Sequence, residues 1–96
     1  NMLADTLDRI GRPPKVFVLV LREVPMIDAT GVGALKDFAE RCARHQTQLI
    51  LVDLQPLTRQ TLESMGVLPR AGTTLVASFE EARALAQRFV DSTAAA

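Results

Sequence analysis

The chain has 96 residues, enough for one domain with a modest hydrophobic core. Its eleven basic and eleven acidic residues are interspersed, so it lacks the basic stripe that nucleic-acid binding requires, and we expect no nucleic-acid partner. Four Phe stand beside no Trp and no Tyr, so aliphatic side chains must build the core. The single cysteine, Cys42, cannot form an internal disulfide or a zinc site alone, and we expect an inert core thiol.

The first half of the chain predicts a helix, a strand and a second helix. The opening helix carries Leu3, Leu7 and Ile10 on one face and stops at the Gly-Arg-Pro-Pro that follows. Residues 16–21 are β-branched or aliphatic without polar alternation, which is typical of a parallel strand covered on both faces. Residues 31–45 then predict an amphipathic helix. Its apolar face comprises Leu35, Phe38, Ala39 and Cys42.

The second half alternates strand and helix twice more. Residues 48–54 predict a second buried strand, and Pro56 suits the first turn of a third helix that ends at Gly66. Residues 73–77 predict a short third strand. The apolar face of the third helix is expected to comprise Leu57, Thr61, Leu62 and Met65.

The last helix completes a pattern of alternating elements. Ser78 and Glu81 form a capping box ahead of it, and we expect the tail at residues 91–96 to fray because it has nothing to pack against. One helix followed by three strand–helix units predicts a single α/β domain over residues 1–96. In this fold class, α-helices pack against a small, mainly parallel β-sheet.

The predicted sheet is small for the number of helices. Three strands serve four helices, and the chain opens with a helix instead of a strand. We therefore expect that N-terminal strands of the sheet are missing from this chain or are supplied by another chain. The longest apolar run has six residues, whereas a membrane-spanning helix needs about twenty.

The joint between the first strand and the second helix carries Asp28, Ala29, Thr30 and Gly31. We expect Thr30 to be the N-cap of the helix, with Asp28 adding favourable negative charge at the same end. Gly31 and Gly33 should let the backbone turn tightly and leave the helix end sterically open. Two explanations stay open: helix capping alone, or a bound anion or a phosphate on Thr30 that meets the free N–H groups.

Outside the joint at residues 28–31, the candidate residues do not indicate a catalytic site. The glycine spacing matches neither the P-loop nor the dinucleotide-binding fingerprint, so tight nucleotide binding is not supported. Met26 is expected to be exposed beside the turn and to suit a protein contact. Asp53 follows the second strand at the edge of the sheet where Asp28 lies, and such edges bind ligands in open parallel sheets. His45 is expected to face solvent, and without a nucleophile–base pair or a metal-ligand set we expect no enzyme.

The chain resembles a STAS domain between Leu3 and about Val90. The resemblance lies in Val-Pro-Met-Ile-Asp at residues 24–28, the Asp-Ala-Thr-Gly turn that follows, the leucine-rich strand near residue 50, Gly-Val after the third helix, and Phe-Glu-Glu-Ala-Arg-Ala-Leu-Ala near the end. STAS domains occur as anti-sigma-factor antagonists and as cytoplasmic C-terminal modules of SulP-type anion transporters. Asp-Ala-Thr-Gly resembles the bacterial SulP transporters more closely, and the strand pair that normally opens a STAS domain is absent from this chain.

The resemblance implies a non-catalytic regulatory and protein-interaction module on the cytoplasmic side of the bacterial inner membrane. Its partners would be the transmembrane domain of the same sulfate-like anion transporter and cytosolic regulatory proteins. Apart from the resemblance, the unpaired edge of the small predicted sheet makes a homodimer a further expectation. It implies no cofactor beyond weak nucleotide binding. The regulatory turn would consist of Asp28, Thr30 and Gly31. Contacts to a partner or a nucleotide would come from Met26, Val32, Gly33, Lys36 and Asp53.

A free-standing anti-sigma-factor antagonist is the alternative. In that branch of the family, the hydroxyl residue before the glycine of the turn is the phosphorylation site, and Thr30 occupies this position. Ala29 departs from the hydroxyl residue that the antagonists usually carry beside it. A phosphate on Thr30 would add about −1.5 to −2 charge and disturb a contact there.

Overall fold

The computed structural model describes residues 2–11 and 13–94 and confirms the helix followed by three strand–helix units. The observed boundaries lie within a few residues of those predicted. The elements are α1 (Met2–Asp8), β1 (Val16–Val20), α2 (Ala29–Arg44), β2 (Gln48–Val52), α3 (Pro56–Ser64), β3 (Thr73–Val76) and α4 (Phe79–Ala94).

The sheet has three parallel strands in the order β1-β2-β3. Val16 of β1 lies opposite Gln48 of β2, and Leu49 of β2 lies opposite Thr73 of β3. Parallel strands all end at the same edge, so the helices that follow them begin there too. This carboxyl edge of the sheet positions the candidate site.

Helices cover both faces of the sheet, as the continuous apolar strands predicted. Leu49 and Leu51 of β2 point into the larger core, which α1, α2 and α3 line. Ile50 and Val52 point to the opposite face and pack under α4. This alternation follows from the two-residue period of a strand. The central strand is therefore buried on both sides, and it anchors the fold.

Helix α1 is joined to α2 through one arginine. A guanidinium nitrogen of Arg41 donates a hydrogen bond of 2.9 Å to the backbone oxygen of Leu7, and Leu7 itself is buried. The guanidinium also lies over the ring of Phe38 at 5.2 Å from its centre. That ring meets Phe17 of β1 edge to face, with ring centres 4.9 Å apart.

Helices α2 and α3 end in the same way. After α2, Gln46 takes a left-handed φ of 57°, and the N–H of Thr47 donates to the Cys42 oxygen at 2.8 Å. After α3, Gly66 takes a φ of 78°, and the N–H of Val67 donates to the Leu62 oxygen at 2.9 Å. Both are Schellman motifs, which turn the chain from a helix towards the next strand.

Helix α4 begins at the predicted capping box. The N–H of Glu81 donates to Oγ of Ser78 at 3.2 Å, and Oε2 of Glu81 accepts from the N–H of Ala77 at 3.0 Å. The helix runs through Ala94, so residues 91–94 are helical where we expected fraying. Residues 95 and 96 lie outside the described residues.

The apolar face of α3 differs from the prediction. Thr58 and Leu62 are fully buried, whereas Leu57 and Met65 are about half exposed. Thr58 is buried because its hydroxyl donates a hydrogen bond of 2.7 Å to the backbone oxygen of Val24. Across residues 2–11 and 13–94, no helix combines the length and the apolar character needed to cross a membrane.

Candidate functional site

Asp28 is the N-cap of helix α2. Its backbone is extended, and its Oδ1 accepts a hydrogen bond of 2.8 Å from the N–H of Gly31. The Asp28 backbone oxygen accepts the first helical bond, from Val32 at 2.9 Å. The prediction that Thr30 caps the helix is therefore wrong. The helix begins at Ala29, which places the exposed Thr30 inside the first turn.

Gly31 is needed for packing, and it does not leave the helix end open as we predicted. It is buried, and a Cβ atom there would lie 2.8 Å from Cγ1 of Ile27, closer than real contacts allow. Gly33 differs, because a Cβ atom there would meet nothing within 4 Å. Of these two positions, only residue 31 must therefore be glycine, because the side chain of Ile27 in the turn packs directly against it.

The segment before the turn is held by α3. The backbone oxygen of Val24 accepts the hydroxyl of the buried Thr58, and that of Arg22 accepts the side-chain amide of Gln55. Leu21 is buried, and its N–H donates to the Val52 oxygen at 3.0 Å. Thr58 was not among the residues predicted to be buried or functional. Its only signal is a four-residue spacing from Leu62, which a threonine does not make conspicuous.

The exposed candidates lie around this turn. Met26 is 66% exposed, as predicted, and it lines a cavity of about 290 Å³ with Leu3, Val24, Ile27 and Asp28. Thr30, Gly33 and Lys36 are exposed along the first two turns of α2. Val32 was predicted to contact a partner, but it is buried in the core and cannot do so. Its spacing from Leu35 and Ala39 was the helical signal of that burial.

Asp53 lies at the carboxyl edge of the sheet, as predicted, but in a different cavity from Asp28. It is exposed and takes a left-handed φ of 57°, a conformation that Asp tolerates better than most residues. It lines a cavity of about 350 Å³ between β2 and β3, together with Arg59, Leu54, Leu75, Val76 and Ala77. Asp53 and Asp28 therefore line different cavities at the same edge of the sheet.

Cys42 and His45 both lie towards the end of α2. Cys42 is buried, as predicted for an inert core thiol, and this burial raises its pKa although the nearby Arg41 acts in the opposite direction. His45 is the C-cap and is exposed, as predicted. Within the described ranges, no three His, Cys, Asp or Glu side chains lie close enough to hold a metal ion.

The turn at residues 28–31 offers a binding partner two features, an exposed surface and the N-terminal end of helix α2. Backbone N–H groups in the first turn of a helix have no intrahelical acceptor, and that of Gly31 is already bound to Asp28. The carboxylate of Asp28 therefore takes the position that a bound anion would prefer. A phosphate on the exposed Thr30 would add negative charge in the same first turn of the helix.

Comparison with known proteins identifies the family. The STAS domain family matches residues 2–82. The chain belongs to the STAS domain family. Its fold agrees with a crystal structure of a sulfate transporter family protein from Wolinella succinogenes, at a TM-score of 0.77 and 34% sequence identity. The match covers 94% of this chain and 78% of that one. The α/β fold inferred from the resemblance is confirmed.

A relative with a transporter name is much longer. The STAS domain is 24% identical over 72 residues to "Putative sulfate transporter YvdB" of Bacillus subtilis (strain 168). The match covers 75% of this chain but 14% of that protein, so the chain spans about a seventh of its length. The turn at residues 28–31 lies within the matched family region, at the helix end described above.

Proposed function

We propose that this STAS domain is the cytoplasmic, non-catalytic regulatory module of a SulP-type membrane anion transporter. Two relatives that carry sulfate transporter names support this assignment. In this proposal, the domain contacts the transmembrane domain of the same transporter and cytosolic regulatory proteins. The domain requires no cofactor, and any nucleotide binds weakly at the carboxyl edge of the sheet.

The observation that carries the proposal is the exposure of Met26 on a rigidly held turn. A side chain that is 66% exposed gains from burial against a partner, and the segment around it is fixed through Thr58 and Gln55. Because this surface is already held in place, it loses little conformational entropy when it binds a partner. Thr30, Gly33 and Lys36 extend the same surface along α2.

The test is anion uptake by cells that carry the native protein with one methionine changed. Met26→Asp should lower sulfate uptake, because a charge would then be buried at the contact. Met65→Asp is the matched control, since Met65 is 57% exposed but lies past the end of α3, at the opposite edge of the sheet. Equal uptake by the two variants would contradict the proposal.

Cell fractionation tests the location. An antibody against this domain should detect a membrane-bound band several times larger than 10.5 kDa. A soluble band of about this mass would instead support a free-standing antagonist, in which Thr30 is the phosphorylation site. The transporter names of the relatives do not favour that second reading.

A further inference from the structure

Another cavity lies at the amino edge of the sheet, where the strands begin. It measures about 640 Å³, against about 290 and 350 Å³ for the two cavities at the carboxyl edge. The segment before β1, the link between α2 and β2, and the last turns of α4 supply its lining. Its volume falls within the roughly 300–1,000 Å³ that is usual for small-molecule sites.

Hydrogen bonds hold two walls of this cavity together. The buried Thr47 donates its hydroxyl to the backbone oxygen of Pro14. The N–H of Gln48 donates to the Lys15 oxygen at 2.9 Å, and the N–H of Thr47 closes the end of α2 on the Cys42 oxygen at 2.8 Å. The backbone around the cavity is therefore fixed before a ligand arrives, and binding costs little ordering of these segments.

The ionisable side chains that line this cavity are both basic. They are Lys15 and His45, and both are exposed. Within residues 2–11 and 13–94, neither side chain takes part in an ion pair. A lysine offers three N–H donors and a histidine offers one or two, so both side chains can donate to an anionic group that enters the cavity.

The negative groups near this cavity are engaged elsewhere. At the end of α2, the backbone oxygens of residues 41–43 already accept the N–H groups of residues 45–47. Asp91 adjoins the lining residue Ser92 along the chain, but Asp91 is not part of the lining. Its carboxylate accepts the side-chain amide of Gln87 at 2.8 Å. The described lining therefore carries positive charge without an acidic side chain to balance it.

The rest of the lining suits a ligand with an apolar body. Phe89 and Pro13 supply apolar surface, and Gln46 and Gln48 supply amide groups. We propose that this cavity binds a phosphate monoester with an aromatic or aliphatic body. The two basic side chains bind the phosphate, whose charge of about −1.5 to −2 they match better than the single charge of a carboxylate. The body lies against Phe89. This inference depends on the cavity alone and not on the proposed function.

Titration with phenyl phosphate at constant pH, followed by nuclear magnetic resonance, tests the proposal. His45 is the one histidine of the chain, so its imidazole signals report on the cavity directly. Phenyl phosphate should shift these signals and saturate at submillimolar concentration. Inorganic phosphate lacks the ring and phenol lacks the charge, so each should bind more weakly by about tenfold or more. Imidazole signals that do not respond to phenyl phosphate, or equal affinity for inorganic phosphate, would overturn the proposal.

The two lysines of the chain give a matched pair of variants. Lys15→Gln removes a charge from the cavity and should weaken the binding of phenyl phosphate by about tenfold or more. The sheet uses only the backbone oxygen of Lys15, so this variant should fold. Lys36→Gln removes the lysine that lies on α2 outside the cavity, and it should leave the affinity unchanged. Weakening by Lys36→Gln as large as that by Lys15→Gln would overturn the proposal.

Chemical acetylation tests the cavity in the native protein isolated from cells, together with any chain that flanks these residues. Acetic anhydride modifies accessible lysines, and mass spectrometry of peptides distinguishes Lys15 from Lys36. Phenyl phosphate should slow the acetylation of Lys15 several-fold and leave that of Lys36 unchanged. If Lys15 of the native protein resists acetylation without phenyl phosphate, another segment covers the cavity and the proposal is overturned. Equal rates for Lys15 with and without phenyl phosphate would also overturn it.

Discussion

Asp28 holds the first turn of α2 through a hydrogen bond of 2.8 Å from the N–H of Gly31. Stabilisation of the helix end is therefore assigned to Asp28, and the exposed Thr30 is not its cap. This separation of the capping residue, Asp28, from the exposed residue, Thr30, bears on regulation. A change at Thr30 can alter the surface of the domain without removing the cap on which the helix end depends.

Asp28→Ala should lower the free energy of unfolding by about 1 kcal/mol, because the cap is lost. Thr30→Ala should change it by only a few tenths of a kcal/mol, since Thr30 lies inside the helix, where alanine is favourable. Urea denaturation of both variants measures these values. Asp28→Asn keeps an acceptor oxygen and should restore most of the loss. A loss from Thr30→Ala as large as that from Asp28→Ala would return the cap to Thr30.

Alanine at the two glycines of this turn should have opposite effects. Gly31→Ala should destabilise the domain by roughly 1–3 kcal/mol, because the new Cβ atom overlaps Ile27. Gly33→Ala should stabilise it by about 0.5–1 kcal/mol, because its Cβ atom meets open space in a helix. Thermal denaturation gives the sign directly. Stabilisation by Gly31→Ala would mean that Ile27 does not restrict Gly31.

Thr58→Val should cost roughly 1–3 kcal/mol of stability, because the substitution leaves the backbone oxygen of Val24 without its donor. Residues 21–28 should also exchange their amide hydrogens faster. Thr61→Val is the matched control, since the Thr61 hydroxyl bonds only within its own helix, to the Leu57 oxygen at 2.9 Å. Equal losses from the two variants would show that Thr58 does not anchor the segment.

The stability of the domain should decrease in alkaline solution partly through Cys42. Burial holds the pKa of this thiol above its ordinary value of 9.0, against a smaller opposite effect of Arg41. Above pH 9.0 the unfolded chain releases this proton while the folded chain keeps it, so the free energy of unfolding falls as the pH rises. Below pH 9.0 the contribution is fully present.

Denaturation at pH 8 and pH 10 measures this effect. Cys42→Ala removes the thiol, so its loss of stability between the two pH values should be smaller than that of the wild type. Few other groups titrate in this window, because the chain has two lysines and no tyrosine. Identical losses in both proteins would show that the thiol does not contribute.

Most of the fold could be predicted because the hydrophobic pattern carries it. The continuous apolar residues of β1 and β2 indicated a parallel sheet covered on both faces. The helical spacing of Leu35, Phe38 and Cys42 placed the buried face of α2 correctly. The resemblance to STAS domains predicted the family, and the match of the STAS domain family to residues 2–82 confirms that prediction.

The errors arose where two residues of similar type compete. Asp28 and Thr30 are both good caps, and the spacing of the sequence does not show which of them has an extended backbone. In α3, apolar Leu57 and Met65 were preferred over Thr58 as buried residues. The burial of Thr58 depends on the Val24 oxygen, 34 residues away along the chain, and local patterns do not contain that information.

The contact between Arg41 and Leu7 also has a mechanical consequence. The guanidinium binds the end of α1, lies over Phe38, and through that ring reaches Phe17 in the edge strand. One side chain and an edge-to-face ring pair thus tie α1, α2 and β1 together, in addition to the backbone that connects them. Loss of the Arg41 guanidinium would loosen α1 from both the neighbouring helix and the sheet.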